Sequence, residues 1–176
     1  MPVSPPPAIL ALDIATRFGW AFAEPQAVAA WPIGLLAARG PIDGVSYGSE
    51  TCGETGGSRG PKFLKFARWL DLVVTSLRPG VVAIEGAIHH RTIEGMLLLG
   101  GLIGQVEMIC YAREVALLPP ASPATIKKHF AGSGSAQKPQ IMAACDRRGW
   151  APQDADAADA LAVLDWGVHR WHGRKG

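Results

Sequence analysis

The feature that most constrains the fold is a continuous apolar run near the amino terminus that contains a single acid. Residues 8–14 read AILALDI, and Asp13 is the only charged side chain among them. Such a run is typical of a strand that is buried on both faces of a sheet. Because an unpaired carboxylate inside a buried strand is very costly, Asp13 indicates a functional site. The sequence therefore predicts a central first strand that ends in a chemically active acid.

A second apolar run ends in the same way. Residues 81–84 read VVAI and are followed directly by Glu85, after which we expect a loop through Arg91. Open α/β sheets bind their ligands at the carboxyl ends of the strands, so Asp13 and Glu85 are expected at one edge. The simpler alternative for Glu85 is an acid at the rim of the sheet.

The last predicted helix, residues 154–170, opens with further acids. Asp156 and Asp159 are three residues apart and so lie on one helical face. Ordinary first-turn acids that complement the helix dipole would give the same pattern. If this turn packs beside the two strand ends, four carboxylates converge, and like charges so close destabilise the fold unless cations neutralise them.

The residue types of this acidic set favour one kind of metal. Oxygen ligands without cysteine or a histidine pair favour Mg²⁺, with Mn²⁺ as a substitute, over zinc. Two such ions about 3.5 to 4 Å apart activate a water and stabilise the leaving oxygen of a phosphoryl displacement. The sequence therefore predicts hydrolysis of a nucleic-acid backbone at a two-ion site. Its predicted metal ligands and catalytic acids are Asp13, Glu85, Asp156 and Asp159.

The remaining pattern predicts a mixed α/β layer architecture. A hairpin is expected, with strand 19–23 after a turn in which Gly19 takes an unusual φ. Residues 27–51 are expected to add one or two strands. A helix is expected to begin with Pro61 at its first position and to end near Leu77. Further elements are predicted as helix 94–113, strand 115–118, a short helix capped by Ser122, and a helix from Pro139 that Gly149 ends.

Helix 94–113 is apolar nearly all round and is therefore expected to need two packing partners. Gly100, Gly101 and Gly104 would permit close backbone approach. Its most apolar stretch, residues 95–104, has ten residues, fewer than the roughly 20 that span a bilayer. The leader MPVSPPP does not read as a signal peptide, so we expect a cytoplasmic protein.

The length of 176 residues, with 48% apolar residues, fits one domain, residues 1–176, with flexible ends at 1–7 and 171–176. The cysteines are three in number, far apart and without a CxxC pair, which predicts reduced thiols. A net charge of +2 would not by itself suggest a nucleic-acid partner. The basic residues are clustered, however, and the clusters are Arg59/Lys62/Lys65/Arg68, His89/His90/Arg91, Lys127/Lys128/His129, Arg147/Arg148 and Arg170/Arg174/Lys175.

Three blocks of the sequence resemble the RuvC-type Holliday-junction resolvases, which have a ribonuclease H-like fold. The blocks are ILALDIATRFGWA (9–21), VVAIEG (81–86), and GSGSAQK (132–138) followed by DADAADALAVLDWG (154–167). The likeness covers nearly the whole chain and is strongest from Phe63 onward. It implies a mixed five-stranded sheet flanked by helices and a magnesium-dependent endonuclease that resolves four-way DNA junctions.

The resemblance also implies roles for single residues. Asp13, Glu85, Asp156 and Asp159 would be the four catalytic metal ligands, and Asp154 a bystander. Lys127 and Lys138 would lie near the scissile phosphate, with Lys138 as a further catalytic residue. The expected DNA contacts are Lys127, Lys128, Lys138, His89, His90 and Arg91. Helix 94–113 would form a homodimer, whose two identical sites suit paired incision.

Two departures from the family pattern leave alternatives open. Ile14 and Ala15 follow the first acid where members often have Pro-Gly, and Ile88 stands where members often have an aromatic residue. A related nuclease that prefers forks, flaps or other branched DNA is one alternative. A non-catalytic DNA-binding protein of the same fold is another. A kinase or ATPase of the actin–hexokinase type is disfavoured by the chain length and by the missing GxxxxGK[ST] phosphate loop.

Overall fold

The structure, a computed structural model, describes residues 5–31, 42–54, 57–86 and 92–173. Five strands form one sheet in the order β3-β2-β1-β4-β5. The strands are β1 (Ile9–Asp13), β2 (Arg17–Ala23), β3 (Val45–Thr51), β4 (Val81–Ile84) and β5 (Ala116–Leu117). The pairs β1–β2 and β2–β3 are antiparallel, whereas β1–β4 and β4–β5 are parallel. This mixed five-stranded sheet is the one that the resemblance implied.

Helices flank both faces of the sheet. They are α1 (Pro25–Ala29), α2 (Arg59–Leu77), α3 (Ile93–Ala112), α4 (Pro123–Ala131), α5 (Lys138–Arg147) and α6 (Ala155–His172). The predicted cap of α4 is confirmed, because the Ser122 hydroxyl accepts a hydrogen bond from the Thr125 amide at 3.1 Å. The predicted mixed α/β architecture is therefore the observed one.

Side chains of β1 and β4 alternate between two cores, as expected for strands buried on both faces. One core contains α4, α5 and α6, and its strand residues are Ile9, Ala11, Val81 and Ala83. The other contains α2 and α3, and its strand residues are Leu10, Leu12, Val82 and Ile84. Since side chains two apart share a face, Asp13 and Glu85 continue the first series and lie on the α6 side of the sheet.

Gly19 is required for space and not for an unusual φ. It lies inside β2 opposite Asp13, and its φ is outside the left-handed region, so that prediction was wrong. A Cβ at this position would lie 1.8 Å from the carbonyl oxygen of Asp156 and 3.0 Å from the Cβ of Ala160. The missing side chain therefore allows the first turn of α6 to rest on the hairpin beside Asp13.

Two predicted boundaries differ from the structure. The segment 27–51 contributes strand β3, but its beginning belongs to helix α1, and residues 32–41 lie outside the described part of the chain. Helix α2 begins at Arg59 after an N-cap at Ser58, so Pro61 is its third residue and not its first. In both places the local pattern identified the element but not the residue at which it begins.

The end of helix α6 and the three cysteines are packed against the rest of the described chain. Helix α6 continues two residues past the predicted end, so Trp171 and His172 are helical and not part of the expected tail. The His172 ring lies 3.0 Å from the carbonyl oxygen of Val28. The three cysteines are free and buried, as expected for reduced core thiols.

Helix α3 has 20 residues, the same length as the predicted helix 94–113. It includes a window of mean hydropathy 1.5, so it is long and apolar enough to cross a membrane by length and composition alone. One side packs inward through Leu102, Val106 and Ile109. Gly101 permits this contact, since a Cβ there would lie 2.3 Å from the ring of Phe63. The rest of the described chain packs against only this side of α3. The exposed apolar side chains of α3 are Ile93, Met96, Leu97, Met108 and Tyr111.

A buried polar cluster surrounds Asp165 in the second half of α6. The Asp165 side chain, 4% exposed as a residue, accepts a hydrogen bond at Oδ1 from Trp31 Nε1 at 2.9 Å. Its Oδ2 lies 3.1 Å from His129 Nε2 and 3.6 Å from the Arg148 guanidinium. The ring of His169 meets the ring of His129 edge-on, with centroids 4.6 Å apart. Burial opposes ionisation of Asp165, but the adjacent His129 and Arg148 outweigh it and lower the pKa of Asp165.

We predict that Gly19→Ala destabilises the protein by about 1–3 kcal/mol or more, because the new methyl group overlaps the first turn of α6. The free energy of unfolding in urea measures this. Gly60→Ala is the matched control, since the nearest atom to its new Cβ is the Ser58 hydroxyl oxygen at 3.8 Å. Equal stabilities of the two variants would contradict the proposed contact.

Candidate active site

The parallel register of β1 and β4 brings two acids side by side. Leu12 pairs with Ile84, so Asp13 and Glu85 are the next residues in step. The Glu85 amide donates to the Leu12 carbonyl oxygen at 3.4 Å, which continues the ladder to this point. Adjacent strands lie about 4.8 Å apart, and both side chains project toward α6. The predicted meeting of two strand-end acids at one edge is therefore observed.

The first turn of α6 adds two further acids. Asp154 is the N-cap, and its Oδ1 accepts a hydrogen bond from the Ala157 amide at 2.9 Å. This capping bond fixes where the helix begins, and Gly19 lets that turn contact the hairpin. Asp156 and Asp159 are thereby directed to the strand ends. The structure gives Asp154 a structural role, which separates it from the other acids of this turn.

The four carboxylates are close enough to perturb one another. Burial raises the pKa of Asp13 to about 7, and repulsion from Glu85, Asp159 and Asp156 adds to this effect. Burial also raises the pKa of Glu85 to about 7, again with repulsion from Asp159. The pKa of Asp159 is raised, mainly by burial. The fold thus assembles the predicted acids into one site of concentrated negative charge.

The carboxylates are neighbours without sharing one tight ligand sphere. Among the described residues, one group of three or more His, Cys, Asp or Glu side chains has all its ligand atoms within 4.8 Å of one another, and that group is His129, Asp165 and His169. Therefore no three of the four acids have ligand atoms that all lie within 4.8 Å of one another. Two ions about 3.5 to 4 Å apart spread their ligands more widely than one ion does.

Two lysines oppose the negative charge of the acids. Lys138, the first residue of α5, lowers the pKa of Asp13 and Asp159 against the larger effect of burial. Lys127 of α4 acts in the same direction on Glu85 and Asp159. The structure therefore brings both lysines near the acids.

The other predicted DNA contacts are placed differently. Lys128 is exposed on α4 and is not among the charges that act on Asp13, Glu85 or Asp159. The predicted contacts His89, His90 and Arg91 lie outside the described residues. Of the predicted DNA contacts that the structure describes, Lys127 and Lys138 are thus the two that act on these acids.

Arg17 is a site residue that the sequence pattern did not reveal. Its guanidinium forms an ion pair with Asp154, and its Nε lies 2.7 Å from Oδ2 of Asp156. It also donates a hydrogen bond to the Ser49 hydroxyl at 3.2 Å. Its position in the hairpin, four residues after Asp13, was the available signal. Asp156, one of the four candidate metal ligands, therefore already forms an ion pair with Arg17.

Comparison with known proteins supports the fold and the family. The family model of crossover junction endodeoxyribonuclease RuvC matches residues 44–164, a range that includes Glu85, Asp156 and Asp159 and begins after Asp13. The enzyme of that name from Ruegeria pomeroyi is 32% identical over 114 residues, which are 64% of this chain and 68% of that protein. The one from Saccharopolyspora erythraea is 31% identical over 145 residues, which are 75% of this chain and 70% of that protein.

Solved structures share the architecture at lower identity. Thermus thermophilus RuvC in complex with a Holliday junction substrate matches with a TM-score of 0.73 and 20% identity, covering 97% of this chain and 96% of that one. The yeast mitochondrial Holliday junction resolvase matches with a TM-score of 0.63 and 17% identity, covering 98% of this chain and 82% of that one. The predicted ribonuclease H-like fold is confirmed. Since the family model spans more than half of the sequence, this chain belongs to the crossover junction endodeoxyribonuclease RuvC family.

Proposed function

We propose that this chain is a DNA endonuclease that resolves four-way junctions by metal-dependent phosphodiester hydrolysis. The observation that carries the proposal is the assembly of four acids, opposed by two lysines, at one edge of the sheet, where Asp13 is repelled by the other three. The name of the family and the junction-bound Thermus relative support the substrate. The complete acidic set argues against a non-catalytic DNA-binding protein of the same fold.

The donor set fits a hard divalent cation. All four candidate ligands, Asp13, Glu85, Asp156 and Asp159, are carboxylates, and Asp13 is buried beside like charges. Such a group is stable when ionised only with a cation nearby, and Mg²⁺ or Mn²⁺ prefers oxygen ligands of this kind. When bound, two such ions supply an activated water and stabilise the leaving oxygen. We propose that these four residues hold them.

The basic residues of the chain orient the DNA backbone. Lys127 and Lys138 place positive charge where negative charge develops on the phosphate during displacement, and we propose Lys138 as the catalytic one. Lys128 and the undescribed His89, His90 and Arg91 are proposed to contact DNA outside the reacting group. Contacts of this kind fix the position of the duplex and carry little sequence information.

We also propose a homodimer through α3. The exposed residues Ile93, Leu97 and Tyr111 follow helical spacing along one face. Gly100 and Gly104 lie on the same face, and a Cβ at either would meet no atom within 4 Å, so a second α3 has room for close approach. A two-fold dimer gives two identical sites, which suits paired incision. DNA as substrate supports the cytoplasm as the proposed location.

We predict that Asp13→Asn lowers the rate of junction cleavage by about 100-fold or more, because it removes a carboxylate from the site. Junction binding, measured by gel mobility, stays near the wild-type level since the basic residues remain. Asp146→Asn, on the exposed side of α5, is the control and cleaves normally. Normal cleavage by Asp13→Asn would refute the site assignment.

The same assay separates the proposed substrate from its nearest alternative. Labelled four-way junction, fork, flap and linear duplex are incubated with wild-type protein with and without Mg²⁺. We expect paired nicks in the junction that require the cation. Cleavage of forks or flaps without paired nicks in the junction would instead favour a related nuclease of different selectivity.

We predict that the metal-free protein loses stability as the pH rises from 5 to 8. Asp13 and Glu85 have folded pKa values of about 7 against ordinary values of 3.8 and 4.5, so the folded state binds more protons in this interval. The resulting loss is on the order of 1–4 kcal/mol, measured by urea unfolding in chelator. Added Mg²⁺ restores stability at pH 8.

Asp13→Asn provides the decisive comparison for that titration. The variant lacks one of the two strongly perturbed carboxyl groups, so its stability depends less steeply on pH between 5 and 8. Asp146→Asn retains the wild-type slope. If Asp13→Asn and the wild type lose the same stability over this interval, repulsion at the site does not govern the metal-free state.

We predict that Leu97→Glu converts the dimer to a monomer, because it places a charge within the apolar face of α3. Sedimentation velocity measures the change, and far-ultraviolet circular dichroism checks the fold. Leu72→Glu is the matched control, since Leu72 is 65% exposed on α2 and Leu97 is 52% exposed on α3. A dimer that survives Leu97→Glu would rule out this face as the interface.

A further inference from the structure

We propose that His129, Asp165 and His169 form a second metal site, selective for Zn²⁺, that fastens α4 to α6. Each of the three side chains offers a ligand atom, and these atoms all lie within 4.8 Å of one another. The site is separate from the catalytic acids. Asp165 lies six residues after Asp159 on α6, which is about 9 Å along the helix. The inference therefore does not depend on the proposed function.

Two imidazole nitrogens of the cluster are buried beside Asp165. Neither Nε2 of His129 nor Nδ1 of His169 makes a well-aligned hydrogen bond among the described residues. Nε2 of His129 lies 3.1 Å from Oδ2 of Asp165, and the His169 ring also interacts with Asp165. The lone pairs of two imidazoles are therefore held at one point beside a carboxylate, an arrangement that suits a metal ion.

The distances suit zinc. Two ligands about 2.0–2.1 Å from a tetrahedral zinc ion are about 3.3 Å from each other, which is close to the separation of His129 Nε2 and Asp165 Oδ2. Trp31 donates to Oδ1 of Asp165 at 2.9 Å and so orients the carboxylate with Oδ2 toward the histidines. Metal-binding side chains commonly have such an outer hydrogen bond, which fixes their orientation.

The ligand types separate this site from the acidic one. Imidazole ligands suit zinc and related transition ions, whereas the four carboxylates suit Mg²⁺. Arg148 lies 3.6 Å from Asp165 Oδ2 and donates to the carbonyl oxygens of Ala144 and Phe130. This fixed positive charge opposes every cation at Asp165, so the preference for zinc has to come from the two imidazole ligands.

A zinc ion bound by His129, Asp165 and His169 would join α4 to α6, and both helices also carry residues of the acidic site. His129 is two residues after Lys127 on α4, while Asp165 and His169 lie on the helix that carries Asp156 and Asp159 at its start. A metal link between α4 and α6 would therefore fix the lysine relative to the acids. Three protein ligands leave the fourth position of a tetrahedral zinc ion to water. The proposed role is to fasten the two helices, since the ligands do not touch the proposed reacting groups.

The test is Zn²⁺ binding by the full-length, chelator-treated protein in millimolar Mg²⁺, which competes for the acidic site. We expect one tightly bound zinc ion per chain, measured by equilibrium dialysis and metal analysis, and a higher melting temperature with zinc. His169→Gln should weaken zinc binding by at least about 100-fold, at or beyond the range typical of losing an outer hydrogen bond. Asp13→Asn and His172→Gln should bind zinc like the wild type.

Each alternative outcome overturns the proposal. Absence of stoichiometric zinc in the wild type would do so, as would zinc that is lost in Asp13→Asn and retained in His169→Gln. If circular dichroism shows that His169→Gln does not fold, X-ray absorption of the zinc-loaded wild type decides instead. Two imidazole nitrogens in the zinc shell would support the site, and an all-oxygen shell would refute it. Junction cleavage by Asp13→Asn is a separate measurement, so failure of either proposal is recognised independently.

Discussion

The contact between Gly19 and the carbonyl group of Asp156 joins the two halves of the candidate active site. Parallel pairing of β1 and β4 would by itself set only two acids side by side. The first turn of α6 brings the other two, and it reaches the strand ends because Gly19 has no side chain. Since any larger residue would push this turn away, the geometry of the four acids depends on one missing methyl group.

Burial and repulsion make this arrangement costly when no cation is bound. Asp13 lies beside three other acids, and burial is the largest cause of its raised pKa. Lys127 on α4 and Lys138 on α5 compensate part of the negative charge of the acids. Two helices from the second half of the chain thus supply positive charge beside the acids at the strand ends. The same lysines are the ones proposed to meet the phosphate.

Much of this arrangement could be predicted from the sequence, because the strongest signals are local. A strand buried on both faces has to be apolar, so the acids Asp13 and Glu85 are conspicuous at the ends of their runs. The spacing of Asp156 and Asp159 gives their shared helical face directly. Family resemblance then supplied the pairing of these segments and the ribonuclease H-like fold, which the comparisons confirm.

What could not be predicted depends on contacts between distant segments. Gly19 was interpreted as a turn residue, because its actual constraint comes from α6, more than 130 residues later. His129 and His169 are 40 residues apart in sequence, so no short motif indicates that their rings meet. The acidic site has no histidine pair, whereas His129 and His169 meet in another part of the described chain. Helix α1 is five residues long and has no repeated apolar spacing that would identify it.

Arg17 shows how the metal-free site limits its own repulsion. Its guanidinium contacts Asp154 and Asp156, the two acids nearest the start of α6, and leaves Asp13 and Glu85 without that compensation. A divalent cation bound as proposed would therefore gain most beside Asp13 and Glu85, where burial and like charge raise the pKa of both groups to about 7. At Asp156 it would compete with an existing ion pair. Under the proposed metal binding, the two sides of the acidic site would differ in cation affinity because the hairpin that carries Asp13 also carries Arg17.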